Sequence, residues 1–112
     1  MHEYKVILTW EAIYDVTDLT DYIEADFGRE RADRFQNDIK NEMTKLEYMG
    51  SMFPKTQLWY RSYVIYKKPF PPSIIFYIVK ESEKEIHVLR VLREEHNWGR
   101  TLTANSTYTY PD

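Results

Sequence analysis

The sequence predicts one α+β domain: an N-terminal strand, an antiparallel helical hairpin, then a three-stranded antiparallel meander, in the order β-α-α-β-β-β. Three observations predict it. Between Thr9 and Gly50 apolar residues recur twice at helical spacing. After Pro54 the pattern changes to short aromatic and β-branched runs, the signature of strands. The 112 residues make one domain, since domains usually hold ~100–150 residues.

Each element has a local reason. Tyr4 to Leu8 reads as a strand with Val6 and Leu8 on one face. Thr9 can cap the helix that follows, because its hydroxyl accepts an otherwise orphaned N–H. Ala12, Val16, Leu19, Ile23 and Phe27 form that helix's apolar stripe, and Gly28 suits its end. A second helix starts near Arg29, with Ala32, Phe35, Ile39, Met43 and Leu46 as its stripe and Gly50 at its end. The short Gly28 link folds the two into a hairpin. Their acids, including Asp15, Asp18, Asp21, Asp38 and Glu42, are expected on a solvated outer face.

Leu58 to Tyr66 reads as the first strand of the meander, and Pro69, Pro71 and Pro72 as a loop. Ile74 to Val79 is apolar throughout, as a central strand would be. Glu85 to Arg93 is the last strand. Simple alternation puts His87, Leu89, Val91 and Arg93 on one face and Ile86, Val88, Arg90 and Leu92 on the other. With the helices on one face, the other is expected to be open to a partner. The domain is expected over 1–102, followed by a flexible polar tail at 103–112.

Composition narrows the function. Cysteine is absent, which removes disulfide scaffolds, Cys-zinc sites and Cys nucleophiles. The longest apolar run, Ile74 to Val79, is far below the ~20 residues of a membrane helix. Met-His-Glu-Tyr-Lys opens a strand rather than a signal peptide, so a cytoplasmic protein with no membrane partner is expected. The formal charge of -3 hides a split: residues 1–50 carry twelve acids and six bases, residues 51–112 six acids and nine bases. Such asymmetry points to an anionic partner for the second half.

The order of elements resembles the RelE/ParE family, toxins of bacterial type II toxin–antitoxin pairs, often linked to plasmid stabilisation. The resemblance runs from Tyr4 to Leu102. It includes Thr9 to Ala12 (T-W-E-A), Tyr22-Ile23, Ala32 to Phe35 (A-D-R-F), Arg61, Ser73 to Val79 (S-I-I-F-Y-I-V), His87 to Arg93 (H-V-L-R-V-L-R) and Asn97-Trp98. It implies growth inhibition relieved by a cognate antitoxin, with no cofactor and no metal. The ParE branch poisons DNA gyrase by binding; the RelE branch cleaves messenger RNA on the ribosome.

The residues divide between these branches. RNA cleavage by attack of the ribose 2′-OH needs proton acceptors and donors and cations for the phosphate. Arg61, Lys67, Arg93, Glu95 and His96 can be drawn as that catalytic set. The arginine that opens the family's third strand falls on Ser73 or Ile74, and is missing. The ParE branch often ends its last strand in paired arginines, then Asp-Trp. Here Trp98 remains while Glu95 and His96 take the arginines' place. The ParE reading fits better, with Trp59, Tyr63, Arg90, Arg93 and Trp98 as target- or antitoxin-binding residues. An inactive, degenerate member is the third reading.

Overall fold

The fold depends on how the last strand meets the first helix. The computed structural model describes residues 3–104 and 107–111. In order it contains β1 (Lys5–Leu8), α1 (Trp10–Phe27), α2 (Arg29–Thr44), a single turn α3 (Leu46–Met49), β2 (Lys55–Tyr60), β3 (Tyr63–Phe70), β4 (Ser73–Lys80), β5 (Glu85–Arg93) and α4 (Trp98–Ala104). One sheet has the order β1-β5-β4-β3-β2. β1 runs parallel to β5 and every other pair is antiparallel.

The signals of the first helix act as expected, whereas the second helix ends at Thr44 and its expected last residues, Leu46 to Gly50, form the separate turn α3 and its cap. Thr9 Oγ1 accepts the Ala12 N–H at 3.0 Å. Gly28, at φ 95°, ends α1 and donates its N–H to the Glu24 carbonyl; an L side chain would be strained there. Ala12, Leu19 and Ile23 of α1 and Ala32, Phe35, Ile39 and Met43 of α2 are buried against Ile75, Tyr77, Ile86 and Val88 of the sheet. The stripe fails at its end, where Phe27 is 61% exposed.

The α+β class and the order of strand, hairpin and antiparallel strands hold. The meander, however, has four strands rather than three. The run expected as one strand, Leu58 to Tyr66, breaks at Arg61-Ser62 into a tight turn closing the Tyr60–Tyr63 pair. Arg61 takes a left-handed φ of 57°. No Gly, Asn or Asp marks this turn, so it carried no sequence signal. Pro69 belongs to β3 rather than a loop, opposite Ile74. β2 begins at Lys55 opposite Tyr66 and no longer flanks β3 at Pro69, so the missing N–H costs no ladder bond.

β5 does not keep simple alternation. Phe76 pairs with Arg90, but its neighbour Tyr77 pairs with Val88, leaving Leu89 as the extra residue of a β-bulge. Ile86, Val88 and Val91 therefore face the helices, while Leu89 and Leu92 face the other way. The bulge is held from α1. Thr9 Oγ1 donates to the Leu89 carbonyl at 2.8 Å. Asp15 accepts from Arg90 Nε at 2.6 Å, from Arg90 Nη2 at 2.8 Å and from the Val91 N–H at 3.0 Å. Asp15 is thus a fastening, not a solvated acid. The same holds for Glu42, which accepts from buried Lys68 at 2.6 Å and pairs with Lys45.

The outer sheet face, expected to be open, is a second core. Ile65, Phe76, Ile78, Leu89 and Leu92 lie there under Leu102 of α4 and Tyr108. The tail expected to be flexible packs on it: Trp10 donates its N–H to the Thr109 carbonyl at 2.8 Å, and Thr109 donates to Glu11 through N–H and hydroxyl, both at 3.0 Å. The physical reason is that Tyr108 and Tyr110 offer this face large apolar area, while the Tyr110 hydroxyl finds a partner in His87. Residues 105, 106 and 112 of the tail lie outside the described residues.

Asp15→Ala is expected to destabilise the fold by about 3–5 kcal/mol, because it leaves Arg90 half-buried without its carboxylate; the denaturant midpoint measures this. Hydrogen bonds from Lys45 and Lys68 hold the Glu42 carboxyl below the usual range. A depressed carboxylate stabilises above its unfolded value of about 4.3 and loses that contribution as pH falls through its folded value. The stability gap between the wild type and Glu42→Gln should therefore be full near neutral pH and shrink in acid below about pH 4. Thermal melts across that range test it.

Candidate functional site

The end of β5 and the start of α4 form the edge where the sequence placed function. β5 stops at Arg93, opposite Ser73. Glu94 donates its N–H to the Pro72 carbonyl, and His96 its N–H to the Arg93 carbonyl. These bonds turn the chain into α4, whose first turn is capped by Asn97 Oδ1 accepting the Arg100 N–H at 3.3 Å. The side chains here are mutually engaged. Arg93 lies over the Tyr22 ring at 4.5 Å and ion-pairs with Glu95. His96 Nε2 is 2.6 Å from Thr101 Oγ1. Trp98 packs on Phe76, with Lys67 Nζ 5.6 Å from its ring centre.

The five ribonuclease candidates do not form one site. Arg93, Glu95, His96 and Lys67 lie around the end of β5. Arg61 lies beyond Tyr63, at the opposite end, where Lys80 pairs with Glu85 and stands over Tyr63. β5 is nine residues long, so its ends lie roughly 26 Å apart at strand spacing. Glu95 also occupies the guanidinium that a phosphate would need, and a carboxylate there repels one.

The binding candidates are equally spread. Trp59 is 61% exposed on edge strand β2, and Tyr63 is half-buried beneath Lys80. Arg90 is turned against α1 onto Asp15. Trp98 is part of the outer core. Near Arg61, buried His87 bridges Glu85 (Nε2 to Oε1, 2.9 Å) and the Tyr110 hydroxyl (Nδ1, 2.7 Å). Burial pushes the Tyr108 and Tyr110 phenols up to about 12. Among the described residues no three His, Asp or Glu side chains converge as metal ligands, and no helix is long and apolar enough to cross a membrane.

Two grooves flank the hairpin. One, of about 510 Å³, lies between β1, α1 and α2, with Val6, Leu8, Ile13, Val16, Ile39 and Met43 in its walls. The other, of about 530 Å³, lies between the hairpin turn and the β3–β4 turn, where Tyr22, Phe27, Arg31, Arg34, Phe70 and Arg93 meet. Sequence reasoning did not find the second groove. Its one signal was an apolar stripe that runs on to Phe27, beside a helix start rich in arginine.

The family model of the "ParE toxin of type II toxin-antitoxin system, parDE" matches residues 6–98, and the chain belongs to that family. A solved chain described as "Chromosomal ParDE TA system from P. aeruginosa" is similar in fold. It superposes with a TM-score of 0.71 at 21% identity, over 85% of this chain and 100% of that one. No curated protein sequence matches.

α4 after Trp98 and the docked segment lie beyond the family match, yet they complete the outer core. Tyr108→Ala should cost about 3 kcal/mol by emptying a large buried site. Tyr108→Phe should cost less than about 1 kcal/mol, because its hydroxyl has no hydrogen-bond partner among the described residues. Comparing the two denaturation midpoints separates packing from polar anchoring.

Proposed function

We propose that the chain is the toxin of a type II pair in the cytoplasm, ParE-like in action: it inhibits growth by binding DNA gyrase and is neutralised by a cognate antitoxin. Family membership supports the toxin role. The observation that carries the choice of branch is the separation of Arg61 from Arg93, His96 and Lys67 by the length of the sheet. With Arg93 already on Glu95, the groups for in-line attack are not gathered, and binding without chemistry is the simpler use of this surface. An antitoxin segment suits the groove between β1 and the hairpin. That groove combines apolar walls from Val6, Leu8, Ile13 and Val16 with a polar side at Gln36, Asn37, Lys40 and Glu47, and β1 pairs with β5 on one side only, so its other edge can accept a further strand.

Induced expression should slow growth, and the purified protein should inhibit gyrase supercoiling. His96→Ala should leave both effects in place. In the RelE-like reading Arg93→Ala and His96→Ala would instead abolish RNA cleavage, by the ~10²–10⁴-fold typical of lost acid–base groups. Growth unaffected by expression of the wild type would sink both readings and leave a degenerate member.

A further inference from the structure

The groove at the hairpin turn breaks the pattern of the half it belongs to. Residues 1–50 carry twelve acids against six bases, yet the walls of this groove hold Arg31, Arg34 and Arg93 against the single carboxylate of Asp38. Stability does not explain the two helical arginines. Arg31 sits in the first turn of α2, at the positive end of the helix dipole, where a cation is disfavoured by ~0.3–1 kcal/mol. Their partners are weak. Arg31 lies over the exposed Phe27 ring at 5.6 Å and has no ion pair among the described residues. Arg34 is 3.7 Å from Glu30 with both side chains largely exposed, a pair that contributes little.

The aromatic groups are also left wet. Phe27 is 61% and Tyr22 42% exposed, on the rim of the same groove. Its floor is apolar, built from Leu19, Phe35 and Phe70. Exposed aromatics beside planar guanidiniums match an apolar anchor flanked by carboxylates, which Arg can grip bidentately. The volume suits one or two side chains rather than a folded domain.

We propose that this groove binds an acidic peptide segment of a separate partner protein, with an apolar side chain between Phe27 and Phe70 and carboxylates on Arg31 and Arg34, Arg93 being held by Glu95. The site is distinct from the groove beside β1 and does not rest on the choice between gyrase and RNA.

A random peptide library displayed on phage and panned against the full chain tests it. The selected sequences should carry Asp or Glu around a Phe, Tyr or Leu. A synthetic peptide of that consensus should bind roughly ten-fold or more weakly to Arg31→Glu/Arg34→Glu, and more weakly as salt rises, as paired charges require. Amide exchange should place its protection at Tyr22 to Phe27 and at the β3–β4 turn. If the reversed-charge variant does not fold, Arg31→Gln/Arg34→Gln and Phe27→Ser replace it. Absence of acidic enrichment, or equal affinity for wild type and variants, overturns the proposal. So does a wild-type dimer, by sedimentation, that these substitutions dissociate, since a second copy would then own the groove.

Discussion

The fastening of α1 to the β5 bulge is the interaction on which the rest of this molecule depends. Thr9 caps the helix with one side of its hydroxyl and holds the Leu89 carbonyl with the other. Two turns later Asp15 takes both nitrogens of the Arg90 fork and the Val91 N–H. A bulge leaves backbone groups out of the ladder, and a buried one left unpaired is costly. Here helix side chains supply the missing partners. The same contacts set the position of the hairpin on the sheet, and so the shape of both grooves.

The bulge also explains why the sheet has two cores. By shifting alternation at Leu89, it turns Val91 toward the helices and Leu92 away, so β5 is apolar on both faces along most of its length. An outer face built from Phe76, Ile78, Leu89 and Leu92 cannot stay in water without a large apolar penalty. The chain solves this with residues beyond the family match, α4 and the Tyr108–Tyr110 segment. The surface left to partners is therefore the hairpin side and the edges, not the open sheet.

Charge is arranged on the same plan. The acidic half is not a uniform solvated coat: Asp15 and Glu42 are tied to Arg90 and Lys68 from the basic half, so part of the opposition between halves is neutralised inside the fold. At the hairpin turn the acidic half also carries arginines of its own: Arg34 is held only by an exposed pair with Glu30, and Arg31 lies over the Phe27 ring.

The sequence by itself determined the α+β class, the two helices with Thr9 and Gly28 at their ends, the central β4 and the resemblance that the family match bears out. These are local properties, because apolar spacing and capping act within a few residues. Tertiary structure alone decided the rest. It split one apparent strand at Arg61, where no turn residue stands, and it displaced alternation in β5. It brought 107–111 onto the outer face and separated Arg61 from Arg93. Each of these depends on contacts between residues far apart in sequence, such as Asp15 with Arg90 or His87 with Tyr110, and no periodicity within one segment encodes where another segment will lie.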